Sequence, residues 1–457
     1  MAHRSKRFRW LLSWEEKHRL VPHFVVGCIL TFLAAKVIFR SNTANGIFLL
    51  YGLLVTSTIL LTFTIAFTRY KDPAIKARNK QYDDEEPLVS CLVAAYNEED
   101  IIERCVASLA AQTYQHKEII FVDDCSTDRT GELLDELATR YDIRVIHLEK
   151  NVGKKSALAH AVSVAEGSIY AFSDSDSTWA PDAIETIVPI FRNDPLVGAV
   201  SGHTRALNAE TNLITKVQDS WYEGQYSIRK AFESVFGSIT CVSGPLAVFR
   251  KDAIYNFMPA WEHDSFLGQP FRFATDRTLT GFVLGNKFIG KKLKHKREGH
   301  EFMLPDYPLK NWKILYCKSA RAWTQVPDTF GRVIKQQVRW KKSFIRNIFF
   351  TGKFYWRKPF LPAMVYYLHI VFVLVGPFIA FRHMIYLPLH GNLYSMFLYL
   401  AGISFIGFMF GLALKLEDPE THSWMYRPLM SMLSTLVLSW LIFYSMATIR
   451  KMTWHRA

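Results

Sequence analysis

Residues 88–95 read LVSCLVAA and are followed at once by Tyr96-Asn97-Glu98-Glu99. An unbroken apolar run of this length, closed by turn-forming polar residues, reads as a strand buried on both faces. The pattern then repeats. Residues 99–111 are helical in spacing, and 117–122 (KEIIFV) form a second strand ending at Asp123-Asp124. Residues 128–140 read as helix, 143–148 as a third strand, 155–165 as a third helix, and 168–172 as a fourth strand stopping just before Asp174-Ser175-Asp176. Strands alternating with helices predict an α/β domain built on a parallel sheet with helices on its faces. Ligands of such sheets bind at the carboxyl ends of the strands. Here those ends carry Tyr96 and Glu98, then Asp123 and Asp124, then Asp174 and Asp176, so acidic groups gather along one edge.

Carboxylates crowded into one crevice repel each other unless a cation joins them. Asp174-Ser175-Asp176 offers hard oxygen ligands of the kind that Mg²⁺ or Mn²⁺ accepts. A metal there can take the diphosphate of a nucleotide sugar and neutralise charge on the leaving group. An Asp-x-Asp turn can also simply cap the next helix, but its place at a strand end beside a second acidic pair favours the metal. Asn151-Val152-Gly153-Lys154-Lys155 lies between the third strand and its helix. Its glycine permits close backbone approach, and Lys154 or Lys155 can reach a phosphate; a solvated helix start accounts for the turn equally well. Neither GxxxxGK[ST] nor GxGxxG is present, so neither a P-loop nor a dinucleotide fingerprint is offered.

Further along, Cys241-Val242-Ser243-Gly244-Pro245-Leu246 is a small-residue turn before the apolar Ala247-Val248-Phe249. Asp276, in Ala274-Thr275-Asp276-Arg277, is either a general base or a helix cap. Gln336-Gln337-Val338-Arg339-Trp340 sits in a basic amphipathic stretch suited to a membrane interface. Trp340 presents a flat face to a sugar ring, Gln336 and Gln337 offer amides, and Arg339 offers a fork for phosphate.

Outside this block the apolar residues are segregated. Residues 46–67 and 393–414 each run 22 residues without a charge, and 428–448 run 21. Each exceeds the roughly 20 residues that cross a bilayer core as a helix. Residues 20–39 and 362–381 are two further spans, blemished only by His23, Lys36, His369 and Pro377. Arg4, Lys6, Arg7, Arg9, Lys17 and Arg19 precede the first span and put the N-terminus in the cytoplasm. The expected organisation is a basic arm over 1–19, two spans over 20–69, a cytoplasmic α/β domain over 70–326, amphipathic interfacial helices over 327–360, and about three spans over 361–457. Three late spans leave the C-terminus outside, whereas Arg450, Lys451 and Arg456 favour the inside. The six cysteines form no CxxC pair, so neither a zinc site nor a redox motif is indicated. The net charge of +14 comes from 55 Lys and Arg against 41 Asp and Glu. With no nucleic-acid-binding motif and an acidic crevice, that surplus points to anionic lipid and diphosphate, not to nucleic acid.

Taken in order, the stretches 94–99, 122–128, 151–155, 174–176, 242–246, Phe266-Leu267-Gly268, 276–280 and 336–340 resemble the processive family-2 glycosyltransferases of membranes. These include hyaluronan, chitin and cellulose synthases, and the likeness is greatest to the hyaluronan and nodulation-type chitin synthases. The resemblance implies a GT-A, Rossmann-like domain joined to membrane helices in the plasma membrane. It implies polymerisation of UDP-sugars by inverting transfer, hyaluronan from UDP-GlcNAc and UDP-GlcA in the first instance, chitin or its oligomers from UDP-GlcNAc alone as the alternative. By the same resemblance Tyr96, Glu98, Asp123 and Asp124 hold uridine and ribose, Lys154 reaches the nucleotide, and Asp174 and Asp176 bind Mn²⁺ or Mg²⁺. Asp276 is the base, with Arg277 beside it. Cys241, Gly244 and Pro245 line the donor-sugar pocket. Gln336 and Gln337 close the site, Arg339 meets pyrophosphate, and Trp340 stacks on the terminal sugar of the growing polysaccharide. One departure stands out: the usual Gly-Asp-Asp-Arg or Gly-Glu-Asp-Arg is Ala274-Thr275-Asp276-Arg277 here. For the carboxylate of a glucuronyl donor, Arg250, Arg272 and Arg277 are all candidate cations.

Overall fold

The computed structural model describes residues 27, 30, 46–78, 85–296, 306–417 and 422–451. The basic arm and almost all of the first expected span lie outside them. Helix α1, Gly46–Thr68, is followed by the α/β block. In chain order this block runs β1 (Val89–Ala95), α2 (Ile102–Ala110), β2 (Lys117–Asp123), α3 (Thr130–Ala138), β3 (Arg144–His147), α4 (Lys154–Val164) and β4 (Ile169–Asp174). These seven elements are the seven read from the sequence, shifted by at most a few residues at their ends. The chain continues through β5 (Ser177–Trp179), α5 (Ala183–Asn193), β6 (Val197–Ala206), α6 (Leu213–Gly224) and β7 (Ala247–Arg250). It ends the domain with α7 (Thr275–Leu284), β8 (Lys313–Thr324) and the 21-residue α8 (Phe330–Phe350).

One eight-stranded sheet has the order β3-β2-β1-β4-β7-β6-β8-β5. Its first four strands are parallel. β7 is antiparallel to both β4 and β6, β8 is parallel to β6, and β5 is antiparallel to β8. The sheet is therefore mixed beyond β4, which the alternation in residues 88–172 does not reveal. β1 is buried along its whole length, as its apolar run requires. Side chains alternate across it: Leu92 and Ala94 enter one core with Phe63 and Phe67 of α1, while Cys91, Val93 and Ala95 enter the other with Ile102, Val106 and Ile187.

Strand order reverses at β1, since β2 lies on one side of it and β4 on the other; the crevice at such a switch is where open α/β sheets bind ligands. Register fixes what lines it. Ala95 pairs with Asp123 and Ala94 with Asp174, so both carboxylates stand level at the carboxyl edge.

Among the described residues, four helical stretches are long and apolar enough to cross a membrane: Phe48–Arg78, which takes in α1, Phe360–Leu389, Leu393–Lys415 and Ser423–Ala447. The second continues through Pro377, and the last is interrupted by a 3₁₀ turn at Leu438–Trp440. The three late spans read from the sequence are all present by length and composition.

Candidate active site

The first two acidic turns are organised by their own side chains. Asn97 adopts φ 54°, and its Oδ1 accepts from the Thr127 amide at 2.8 Å. Asn tolerates this left-handed backbone better than most residues, and the bond fixes the β1 turn against the β2 turn. Glu98 donates its amide to Thr130 Oγ1 at 2.7 Å, and Tyr96 is exposed beside it. The Asp123 carboxylate accepts from the Ser126 amide and hydroxyl, and its other oxygen meets His147 Nδ1 at 3.2 Å. Asp124 accepts the amides of Val152 and Gly153 at 2.7 and 2.8 Å. Gly153 sits at φ 90°, a conformation open to glycine, and so delivers its N–H to that carboxylate. Burial raises the Asp124 carboxyl, and these two amides offset only part of that rise.

The Lys154–Lys155 alternative is resolved by one step of helix. Lys154 hydrogen-bonds Asp174 Oδ1. Lys155 turns inward, to Asp264 Oδ2 at 3.0 Å and the Phe271 carbonyl at 2.9 Å, and so does not reach a phosphate. Asp264 also binds Arg346 of α8. Burial alone would lower the Lys154 ammonium, but Asp174, Asp176 and Asp276 outweigh it and raise it. Lys154 thus bonds Asp174 and stands within electrostatic reach of Asp176 and Asp276.

Asp176 Oδ1 accepts from Thr324 at 3.0 Å and Ser177 at 3.1 Å. Burial and then repulsion from Asp174 push its carboxyl up to about 6. Two carboxylates brought together in this way form a donor set suited to a divalent cation that also takes phosphate and water oxygens. Among the described residues no group of three or more His, Cys, Asp or Glu side chains forms a complete metal cage. The structure does not make Asp276 a helix cap; it lies inside α7, whose cap position is Ala274. Its Oδ2 accepts from Cys241 Sγ at 3.2 Å, and its Oδ1 from the Arg277 amide at 2.8 Å. Burial, and after it Asp276, drive the Cys241 thiol up to about 12, which keeps it protonated as a donor. Gly244, beside Pro245, packs so closely on Asp174 that a Cβ there would stand 2.6 Å from its Oδ1.

From the opposite side α8 contributes the last group. Burial lowers the Arg339 guanidinium, while Asp176 and Asp174 act to raise it, so it faces the acidic pair. Gln336 is buried, and Gln337 is its half-buried neighbour on the same helix. Trp340 stacks on Trp221 at 5.3 Å with an interplanar angle of 18°, and meets the edge of Tyr222 at 6.3 Å. Trp221, Tyr222, Thr324 and Ser177 are absent from the sequence reading. Trp221, Tyr222 and Thr324 come to the crevice through distant elements, whereas Ser177 directly follows Asp176 and no motif marks it. Among the candidate cations for a glucuronyl group, Arg250 is excluded. It pairs with Ile169 at the amino end of β4, away from Asp174, and binds the carbonyls of Val197 and Phe191. Arg272 lies near Asp124, and Arg277 near Asp276.

A mixed sheet whose parallel half ends in an Asp-x-Asp turn, faced by a basic aromatic helix, defines a GT-A glycosyltransferase. Residues 90–257 match the model described as Glycosyl transferase family 2, and the chain is a glycosyltransferase carrying that domain. It is 27% identical over 448 residues to a hyaluronan synthase of Streptococcus pyogenes, covering 96% of this chain and 97% of that one. It is 32% identical over 286 residues to an N-acetylglucosaminyltransferase of Rhizobium leguminosarum bv. viciae, covering 62% of this chain and 60% of that one. Among solved structures it resembles the mannosyltransferase PcManGT from Pyrobaculum calidifontis in complex with GDP-Man and Mn²⁺, with a TM-score of 0.56 at 20% identity. That match covers 88% of this chain and 98% of the other, and it bears on the fold. The four apolar helices, together with the likeness to hyaluronan synthases, mark a membrane protein.

Proposed function

We propose that the protein is a processive inverting glycosyltransferase that builds hyaluronan from UDP-GlcNAc and UDP-GlcA and passes it through its membrane helices. The observation that carries this reading is the shared crevice of Asp174, Asp176 and Asp276 around Lys154, faced by Arg339. A nucleotide donor and an acceptor hydroxyl need that combination: groups for a diphosphate on one side and a carboxylate base on the other. The near full-length likeness to hyaluronan synthase supports the polymer.

In this reading Tyr96 and Glu98 border the uridine, while Asp123 and Asp124 hold the turns that receive it. Asp174 and Asp176 hold Mn²⁺ or Mg²⁺, which when bound neutralises the diphosphate; the Mn²⁺ and GDP-Man in PcManGT support this. Lys154 moves between Asp174 and the nucleotide. Asp276 Oδ2, now hydrogen-bonded by Cys241, accepts the proton of the acceptor hydroxyl as that oxygen attacks the anomeric carbon. Arg339 stabilises the departing diphosphate. Cys241, Gly244 and Pro245 border the donor sugar, with Arg277 beside Cys241 and Asp276. Gln336 and Gln337 close the site, and Trp340 carries the terminal acceptor sugar. One displacement inverts the α-linked donor to a β-linked product. The catalytic domain over 70–326 then sits in the cytoplasm, with residues 327–360 along the inner membrane face. The N-acetylglucosaminyltransferase relative supports a second product, a chitin-type chain from UDP-GlcNAc alone. Asp276→Asn is expected to abolish UDP release while retaining UDP binding; loss of UDP binding would reassign Asp276.

A further inference from the structure

Helix α6 touches both the candidate acceptor residue and the last membrane segment, and no function so far uses it. Trp221 on α6 covers one face of Trp340. The same Trp221, with Val217, packs into an apolar cluster with Met430, Leu433 and Leu438 of the last segment. Two residues before Trp221, Asp219 is almost wholly buried and bound on both oxygens. Its Oδ1 accepts from Arg205 Nε at 2.8 Å and the Ala206 amide at 3.1 Å, and its Oδ2 from Arg205 Nη2 and Ser423 Oγ, each at 2.5 Å. Ser423, the first residue of the last segment, also accepts from Arg205 Nη2 at 3.0 Å. Arg205 further binds Glu223 at 2.8 Å. Burial alone would raise the Glu223 carboxyl, but His203 and Arg205 hold it well below the usual range, so the network is charged.

A tryptophan stacked on one face has its ring plane fixed for a sugar that binds beside it. A buried ion pair that ends on a serine hydroxyl ties the helix bearing that stack to the membrane segment. We propose that Trp221 is a positioning residue for Trp340, and that the Asp219–Ser423 bond registers the acceptor sugar against the membrane path, so that the growing chain stays engaged between additions. The proposal rests on Trp340 as the acceptor platform. It concerns retention of the polymer, not bond formation.

The test uses the full-length protein in detergent with UDP-GlcNAc, UDP-GlcA and Mn²⁺, measuring UDP release and product length side by side. Ser423→Ala is expected to shorten the mean product by about three- to tenfold, the factor that loss of one hydrogen bond imposes on a rate ratio. UDP release is expected to stay within about twofold by the same arithmetic, because the bond lies outside the reacting groups. Ser423→Thr, which keeps the hydroxyl, should restore length. Trp221→Phe should lie between wild type and Trp221→Ala in length, with Trp221→Ala raising the KM of a short added acceptor more than it lowers kcat. Unchanged length in Ser423→Ala, or length and UDP release falling in proportion, overturns the proposal. A wild-type protein that turns over donors without making polymer overturns the reading beneath it as well.

Discussion

Replacing Gly244 by alanine adds one methyl group where the turn before β7 meets the Asp-x-Asp carboxylates. The new Cβ would stand 2.6 and 2.7 Å from the two oxygens of Asp174 and 3.0 Å from its Cγ. Ordinary contacts to a Cβ begin near 3.4 Å, so one partner must retreat by several tenths of an ångström. The turn is held by Pro245, whose carbonyl accepts from Trp179 Nε1 at 2.5 Å, and β7 follows directly in the sheet. Asp174 is the softer partner, although Lys154 restrains it. The displacement therefore falls on the carboxylate assigned to the metal and on its lysine. Misplacement of a reacting group by about 1 Å can cost about a hundredfold in rate. Overpacking itself costs about 1–3 kcal/mol of stability, which leaves the fold intact. UDP release by Gly244→Ala should thus fall ten- to a hundredfold (roughly, by the same geometric argument), with a weaker response to added Mn²⁺ and only a modest drop in the thermal midpoint. Wild-type turnover in this variant would show that Asp174 has no fixed place in the reaction.

Three further outcomes follow from contacts elsewhere. Ala274 holds φ 61°, where a β-carbon is disfavoured, so Ala274→Gly should raise stability by about 1 kcal/mol with turnover retained; a lower thermal midpoint would contradict this. His147 is raised above 6.5, first by its bond to Asp135 and, against some burial, by Asp123. A raised histidine contributes stability in full below pH 6.5 and loses it as the pH rises through its folded value. The stability gap between wild type and His147→Gln should accordingly close as pH rises from 6 towards 8 (about one to two pH units spanning that range), and a gap that widens would refute the assignment. Asp264→Ala strands the buried Lys155 and Arg346 and should cost about 3–5 kcal/mol in thermal unfolding, whereas a change below about 1 kcal/mol would mean that water or rearrangement replaces the pair.

The first half of the catalytic domain was legible because its information is local. An apolar run as short as 88–95, closed by turn-forming residues, favours an interior strand, and acidic residues straight after parallel strands fall on one edge. The Asp-x-Asp turn could be weighed against a cap on that ground alone. Lys154 and Lys155 could not be told apart, because one step of helix turns a side chain by a wide angle and the partner Asp264 is 109 residues away. Thr324 reaches Asp176 across 148 residues through β8, and no spacing announces that. Trp221 is one aromatic residue on an ordinary helix until the fold lays it on Trp340. The departure over residues 274–277 was visible as Thr275 in place of an acidic neighbour to Asp276, while the left-handed backbone carried by Ala274 needed the structure.

The most direct test of the account is a donor-pair incorporation measurement. Purified full-length protein is given UDP-GlcNAc and UDP-GlcA, separately and together, with Mn²⁺, and the product is sized before and after hyaluronidase. The account predicts a long polymer only when both donors are present, degraded by hyaluronidase and accompanied by UDP release. A polymer from UDP-GlcNAc alone that resists hyaluronidase and yields to chitinase would contradict the choice of product, and a single sugar added to lipid would contradict processive synthesis itself.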